Sequence, residues 1–176
     1  YMKGQDGVNV WENRIKELAA VINEVRPDVL GMQEPTNSDL WSFLKLLPGY
    51  SMLGIGRDDG VEKGQYTLIL YRTDKYVVEH DGYYFLSKTP DVLGSKDWGS
   101  ECRRLATWAI FRNKQTRSCF FYTNTHLDHI SDSARTNQMR VIKEHMREIV
   151  NKYGTYPMMI TGDFNVSSTT SGAYIN

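Results

Sequence analysis

Between residues 11 and 26 apolar side chains recur at Ile15, Leu18, Ala19, Ile22 and Val25, the three-four spacing of an amphipathic helix that Pro27 stops. The run from Asp28 to Glu34 is short and continuously apolar until its end. It predicts a strand buried on both faces that delivers Gln33 and Glu34 at its C-terminal end, with Pro35 forbidding easy continuation. Asn37 and Ser38 are placed to cap a second helix reaching about Leu47, and Pro48-Gly49 turns the chain. Residues 50–55, 66–71 and 76–85 read as strands, the first two separated by the charged loop Gly56-Arg57-Asp58-Asp59-Gly60. Residues 87–100 form a long irregular loop, a feature that in compact domains is usually functional or mobile. Strands over 105–112 and 118–125 are joined by the polar turn 113–117, and a helix over 133–151 carries Met139, Ile142, Met146 and Ile149 on one side.

The last run, Met158-Met159-Ile160-Thr161-Gly162-Asp163-Phe164-Asn165, predicts a short buried strand ending in a carboxylate and an amide. Alternation puts Asp163 and Asn165 on one face and turns Phe164 into the core. Gly162 allows another backbone or a ligand to come close. Helices at both ends of a run of mostly hairpin-connected strands suit two packed sheets with helices outside, a layered α/β sandwich.

Composition changes this picture little. With 176 residues the chain fits one domain, and 21 basic against 21 acidic residues argue against a nonspecific polyanion binder working through bulk charge while leaving a local basic rim open. No apolar run approaches the roughly twenty residues of a membrane-spanning helix. Cys102 and Cys119 fall in apparent strands, outside any spaced metal pattern, and read as buried free thiols with a single bridge as the alternative. Tyr1-Met2-Lys3-Gly4 does not resemble a signal peptide, and a chain beginning with Tyr leaves its compartment open. Trp41, Tyr83, Tyr84 and Trp98 are candidates for stacking on a base or sugar, against core packing for most of them.

The chemistry concentrates at three strand ends: Gln33-Glu34, Asn124-Thr125-His126-Leu127-Asp128-His129 and Asp163-Phe164-Asn165. Each has an ordinary explanation: a solvated Glu, a structural His, an Asp/Asn turn. Together they supply what a phosphate site needs. Mg²⁺ favours one or two protein carboxylates, several waters and phosphate oxygens, which one Glu with nearby Asp and Asn provides. The Cys/His content does not suit structural zinc.

In that order, Gln33-Glu34, Asn124-Thr125-His126 and Gly162-Asp163-Phe164-Asn165 resemble the endonuclease/exonuclease/phosphatase (deoxyribonuclease-I-like) superfamily. Gly54-Ile55-Gly56-Arg57-Asp58-Asp59-Gly60 and Arg104-Leu105-Ala106-Thr107-Trp108 resemble a mainly bacterial, uncharacterised branch. The resemblance implies a four-layer α/β sandwich of two packed, mostly antiparallel sheets flanked by helices. It also implies a metal-dependent phosphoester hydrolase, phosphodiesterase or phosphatase, using Mg²⁺ with Mn²⁺ as a substitute. Glu34 then matches the metal-binding glutamate, Asp163 the aspartate that orients or deprotonates water, and Asn165 the asparagine that holds phosphate or nucleophile. His126 matches the histidine on the scissile phosphate. Arg57 and Arg104 are candidate substrate contacts, with surface ion pairs as the alternative. Asp128 is a further candidate there, able either to tune the site or to cap the following loop, and capping is preferred for His129.

The resemblance also implies a first strand with a metal-proximal asparagine and terminal strands with an Asp-His pair. The expectation is therefore a single incomplete domain over 1–176, nearly inactive by itself. A non-catalytic domain that binds a phospholigand or glycan on the same scaffold is the competing expectation. Nucleic acid, nucleotide, phospholipid head group and sugar phosphate all stay open as substrates, and so does the oligomeric state.

Overall fold

The same period-two and three-four patterns organise the computed structural model, which describes residue 7 and residues 10–166. Helix α1 (Trp11–Val25) leads into β1 (Val29–Thr36), α2 (Asn37–Leu44) and β2 (Tyr50–Leu53). Strands β3 (Gln65–Arg72), β4 (Tyr76–Phe85), β5 (Leu105–Asn113) and β6 (Cys119–His126) follow, then α3 (Asp132–Tyr153) and β7 (Met158–Asp163). One sheet has the order β1-β3-β2, all antiparallel, and the other β4-β5-β6-β7. Within the second sheet only β7 is parallel to its neighbour, because α3 carries the chain back across the sheet before β7 pairs with β6.

Alternation along β3 explains the layers. Leu70 faces Ile15, Ala19, Ile22 and Phe43 of the two N-terminal helices, while Ile69 meets Ala109, Phe111 and Tyr122 of the other sheet. Tyr84, Trp108, Ile110 and Phe121 pack on their far side against Val141, Ile142 and Ile149 of α3. The result is helix, sheet, sheet, helix: the expected four-layer α/β sandwich.

Several local expectations need correction. Strand β1 is half-buried rather than buried on both faces, and it runs through Pro35 to Thr36. A bulge makes this tolerable, since the register with β3 shifts between Gln33 and Thr36 and Pro35 has no ladder partner to lose. Thr36, not Asn37 or Ser38, caps α2, with the Asp39 carboxylate accepting from the Thr36 N–H at 3.1 Å and from its hydroxyl at 2.5 Å. The helix also stops at Leu44, short of Leu47. Cys102 lies in the loop before β5 rather than in a strand, and both cysteines are free and half-buried. Strand β7 is an edge among the described strands, and it exposes Met158 and Met159 instead of being buried. Trp41 and Tyr83 are exposed, whereas Tyr84 and Trp98 pack in or on the core.

Candidate active site

The alternation that buries Tyr122 between the sheets puts Asn124 and then His126 on the same face of β6, toward the end of β1. Asn124 is fully buried and fully used. Its Nδ2 donates to the carbonyls of Met32 (2.9 Å) and Leu68 (2.7 Å) in the opposite sheet. Its Oδ1 accepts from Gln33 Nε2 (2.8 Å) and Thr161 Oγ1 (3.0 Å). One amide thereby fixes β1, β3, β6 and β7 together directly beneath the strand ends. Gly31 is what lets β1 approach: a Cβ there would lie 2.5 Å from both Asn124 Oδ1 and Thr161 Oγ1. Gly162 does the same for β7, at φ 153°, where a side chain would collide with the Thr125 carbonyl.

Above this knot the bulge re-aims β1, and Glu34 takes a left-handed φ of 73°, a conformation costly for a residue with a side chain. Glu34 lies within the electrostatic reach of His126 and Arg57. Across the gap His126 pairs in register with Asp163, and their Nε2 and Oδ2 atoms are 3.7 Å apart. His126 is 5% exposed. Burial, then the positive charge of Arg104, outweigh the pull of Asp163 and Glu34 and push its pKa down to about 4. At neutral pH it is an uncharged imidazole, so its approach to Asp163 is not an ion pair.

Asp163 keeps its side chain half exposed, with Oδ1 accepting from the Asn165 N–H at 2.9 Å. Strand geometry ends here. Asn165 adopts φ 51° and sends Nδ2 to the Leu127 carbonyl at 2.9 Å, while Phe164 packs on the core as expected. The turn reading of Asp-Phe-Asn is therefore realised, and this turn is what orients the Asp163 carboxylate.

Two arginines close the other side. Arg104 is 4% exposed, with Nε and Nη1 buried and unpartnered, and Arg57 likewise has an unpartnered buried Nε. Burial first, and then the like charge of Arg57, push Arg104 below the ordinary guanidinium value. Neither forms a surface ion pair among the described residues.

Asp128 has a different place from the one expected on the substrate side. It is fully buried, Oδ1 accepting from Ser100 Oγ and the Glu101 N–H (2.9 Å each), Oδ2 from the N–H groups of Ile130 (3.0 Å) and Ser131 (2.8 Å). Burial would raise its pKa, but these hydrogen bonds, led by Ser131 and Ser100, hold it at about 2. Asp128 organises the loop that carries Arg104 into the site, and it has no face left for a ligand. The long 87–100 loop is accordingly pinned, not slack.

The Endonuclease/Exonuclease/phosphatase family profile matches residues 8–174. The chain belongs to that family. A mannosyl-6-phosphatase of Bacteroides thetaiotaomicron VPI-5482 is 36% identical with a TM-score of 0.93, over 98% of this chain and 64% of that one. A family protein of Bacteroides vulgatus is 37% identical with a TM-score of 0.92, over 99% and 65%. An uncharacterised protein of Acanthamoeba polyphaga mimivirus is 26% identical over 164 residues, 88% of this chain and 59% of the viral one. The chain thus spans about three-fifths of the length of these relatives.

The residues that the resemblance singled out, Glu34, His126, Asp163 and Asn165, lie at or just past the ends of three strands, with Arg57 and Arg104 within electrostatic reach of His126. Sequence reasoning assigned no role to Asn124, although its position two residues before His126 on a strand already put both on one face. Among the described residues no three His, Cys, Asp or Glu side chains form a metal cage. The donor set fits an ion that takes one carboxylate plus water and phosphate oxygens, as Mg²⁺ does, and does not suit a structural zinc site.

The buried neutral His126 predicts a pH-dependent stability. Its folded pKa, about 4, lies below the ordinary value of 6.5, so the unfolded chain takes up the proton first as pH falls. This contribution is fully present above pH 6.5 and is lost progressively as pH falls toward 4, by up to about 3 kcal/mol. Urea midpoints between pH 7.5 and 4.5 should fall less steeply in His126→Gln than in the natural protein.

Proposed function

We propose that the protein is a Mg²⁺-dependent phosphoester hydrolase that cleaves its substrate by in-line attack of an activated water. The observation that carries this reading is the convergence of Glu34, His126 and Asp163 with two arginines whose buried donors have no partner. Glu34 would hold the ion, which when bound neutralises charge building on the phosphoryl oxygens. Asp163, half exposed and aimed by the Asn165 N–H, is placed to accept the proton of the attacking water. His126, uncharged at neutral pH, serves as a hydrogen-bond donor to a phosphoryl oxygen without repelling a cation beside Glu34. Asn165 keeps its Nδ2 on the Leu127 carbonyl, so its contribution to phosphate is through the free side of its amide and through the position of Asp163. Arg57 and Arg104 bind phosphate oxygens.

The likeness to a mannosyl-6-phosphatase makes mannose 6-phosphate the first substrate to test, beside p-nitrophenyl phosphate and bis-p-nitrophenyl phosphate. The full-length protein is expected to hydrolyse at least one of the three with Mg²⁺ and to lose turnover after chelation, with recovery on adding Mg²⁺ back. Tight binding of these compounds with no turnover of any under Mg²⁺ or Mn²⁺ would overturn the proposal in favour of a binding domain.

A further inference from the structure

Arg104 carries a buried charge that forms no ion pair among the described residues. It is 4% exposed, yet Nε and Nη1 have no hydrogen-bond partner. The one hydrogen bond its guanidinium makes among the described residues runs from Nη2 to His129 Nδ1, at 3.3 Å. After burial, the largest influence on it is a second cation, Arg57, whose own Nε is buried and unpartnered; the opposing pull of Cys102, Asp128 and Glu34 is smaller. A buried charge without a partner is strongly unfavourable, and a like charge beside it adds to the cost. Such a pair is stabilised by an anion carrying more than one charge, bound through the guanidinium forks.

His129 completes the arrangement. A guanidinium can only donate, so His129 Nδ1 must accept and the ring proton sits on Nε2. The exposed imidazole therefore presents an N–H at the mouth of the site while its other nitrogen holds the Arg104 fork. This is more than the loop cap expected for it. Asp128, one residue earlier, does the capping and fixes both the 98–102 backbone leading to Arg104 and the backbone that places His129.

We propose that Arg104, Arg57 and His129 form an anion subsite that selects dianionic phosphate monoesters over monoanionic diesters, with His129 as the residue that positions Arg104. This rests on the reading of the site as a phosphoester hydrolase. A monoester carries close to two negative charges at pH 7.5, because its second pKa is about 6, whereas a diester carries one. Losing one charged, desolvated hydrogen bond is a roughly 10- to 100-fold effect on affinity.

The test compares His129→Leu with His129→Asn, whose Oδ1 can replace the Nδ1 acceptor, in the full-length protein. Inorganic phosphate and dimethyl phosphate are titrated calorimetrically into chelator-treated protein, and kinetics are measured on p-nitrophenyl phosphate and its bis ester. The natural protein is expected to bind phosphate well and dimethyl phosphate at least tenfold more weakly. His129→Leu should weaken phosphate binding, and raise KM for the monoester, by about tenfold with kcat within about threefold. Dimethyl phosphate binding and bis-ester KM should weaken by a clearly smaller factor, about threefold or less, and His129→Asn should restore most of the loss. Equal binding of the two anions, or equal losses on both esters, would overturn the subsite. If neither ester is hydrolysed but phosphate is still selected and His129→Leu still weakens it, the subsite stands and the hydrolase reading falls.

Discussion

Asp163→Asn is expected to lower kcat/KM for phosphoester hydrolysis by about 10²–10⁴-fold while leaving stability within about 0.5 kcal/mol. The first half follows from position: Asp163 ends β7 opposite His126, and its oxygens are the exposed carboxylate of the group. An amide of the same shape preserves the contact with the Asn165 N–H but cannot accept a proton from water. The second half follows from exposure. The Asp163 side chain is 50% exposed and holds no distant element in place, so its replacement removes chemistry rather than packing. Steady-state kinetics beside a thermal melt separate the two effects. Retention of more than a third of the activity would remove Asp163 from the mechanism.

The opposite phenotype is expected at Asp128. Asp128→Ala should destabilise the fold by about 3–5 kcal/mol, read as a shift of the denaturant midpoint at pH 7. Its carboxylate gathers donors from two loops, and deleting it leaves the amides of Glu101, Ile130 and Ser131 without their acceptor, while the Ser100 hydroxyl keeps only the Cys102 carbonyl. The pH dependence has a definite sign. Its folded pKa, about 2, lies below the ordinary 3.8, so the stabilisation is present above pH 3.8 and is lost as pH falls through 2. Activity should fall with it, because Arg104 is delivered by the loop that Asp128 pins. A midpoint unchanged in Asp128→Ala would show that the loop is held by other contacts.

Two aspartates of similar appearance in the sequence thus divide into a chemical and an architectural one. The sequence does not separate them, because both follow apolar runs and both precede turn residues. What separates them is the partner set of Asp128, half of which, Ser100 and Glu101, comes from nearly thirty positions away. The same limit hides Asn124: its four hydrogen bonds join strands up to 92 residues apart, and no local pattern marks it. Local pattern was sufficient for most elements, since three-four spacing marks α1 and α3 and the polar turn 113–117 between two apolar runs marks β5 and β6. It failed at β1, where Pro35 suggested a strand end. A bulge removes the need for the missing N–H, and the left-handed Glu34 carries no glycine signal. The three family motifs were legible in order and spacing. That they meet at one end of the sandwich was readable only as an expectation of the family resemblance, and the geometry that aims Asp163 through a left-handed Asn165 was not.

The most direct measurement is hydrolysis of p-nitrophenyl phosphate and bis-p-nitrophenyl phosphate with Mg²⁺ by the full-length protein, Glu34→Ala, Asp163→Ala and the double variant. The account predicts turnover by the natural protein, loss of at least about 10²-fold in each single variant, and a double variant little worse than the poorer single one, because both residues serve one step. Full activity retained in both single variants would contradict it.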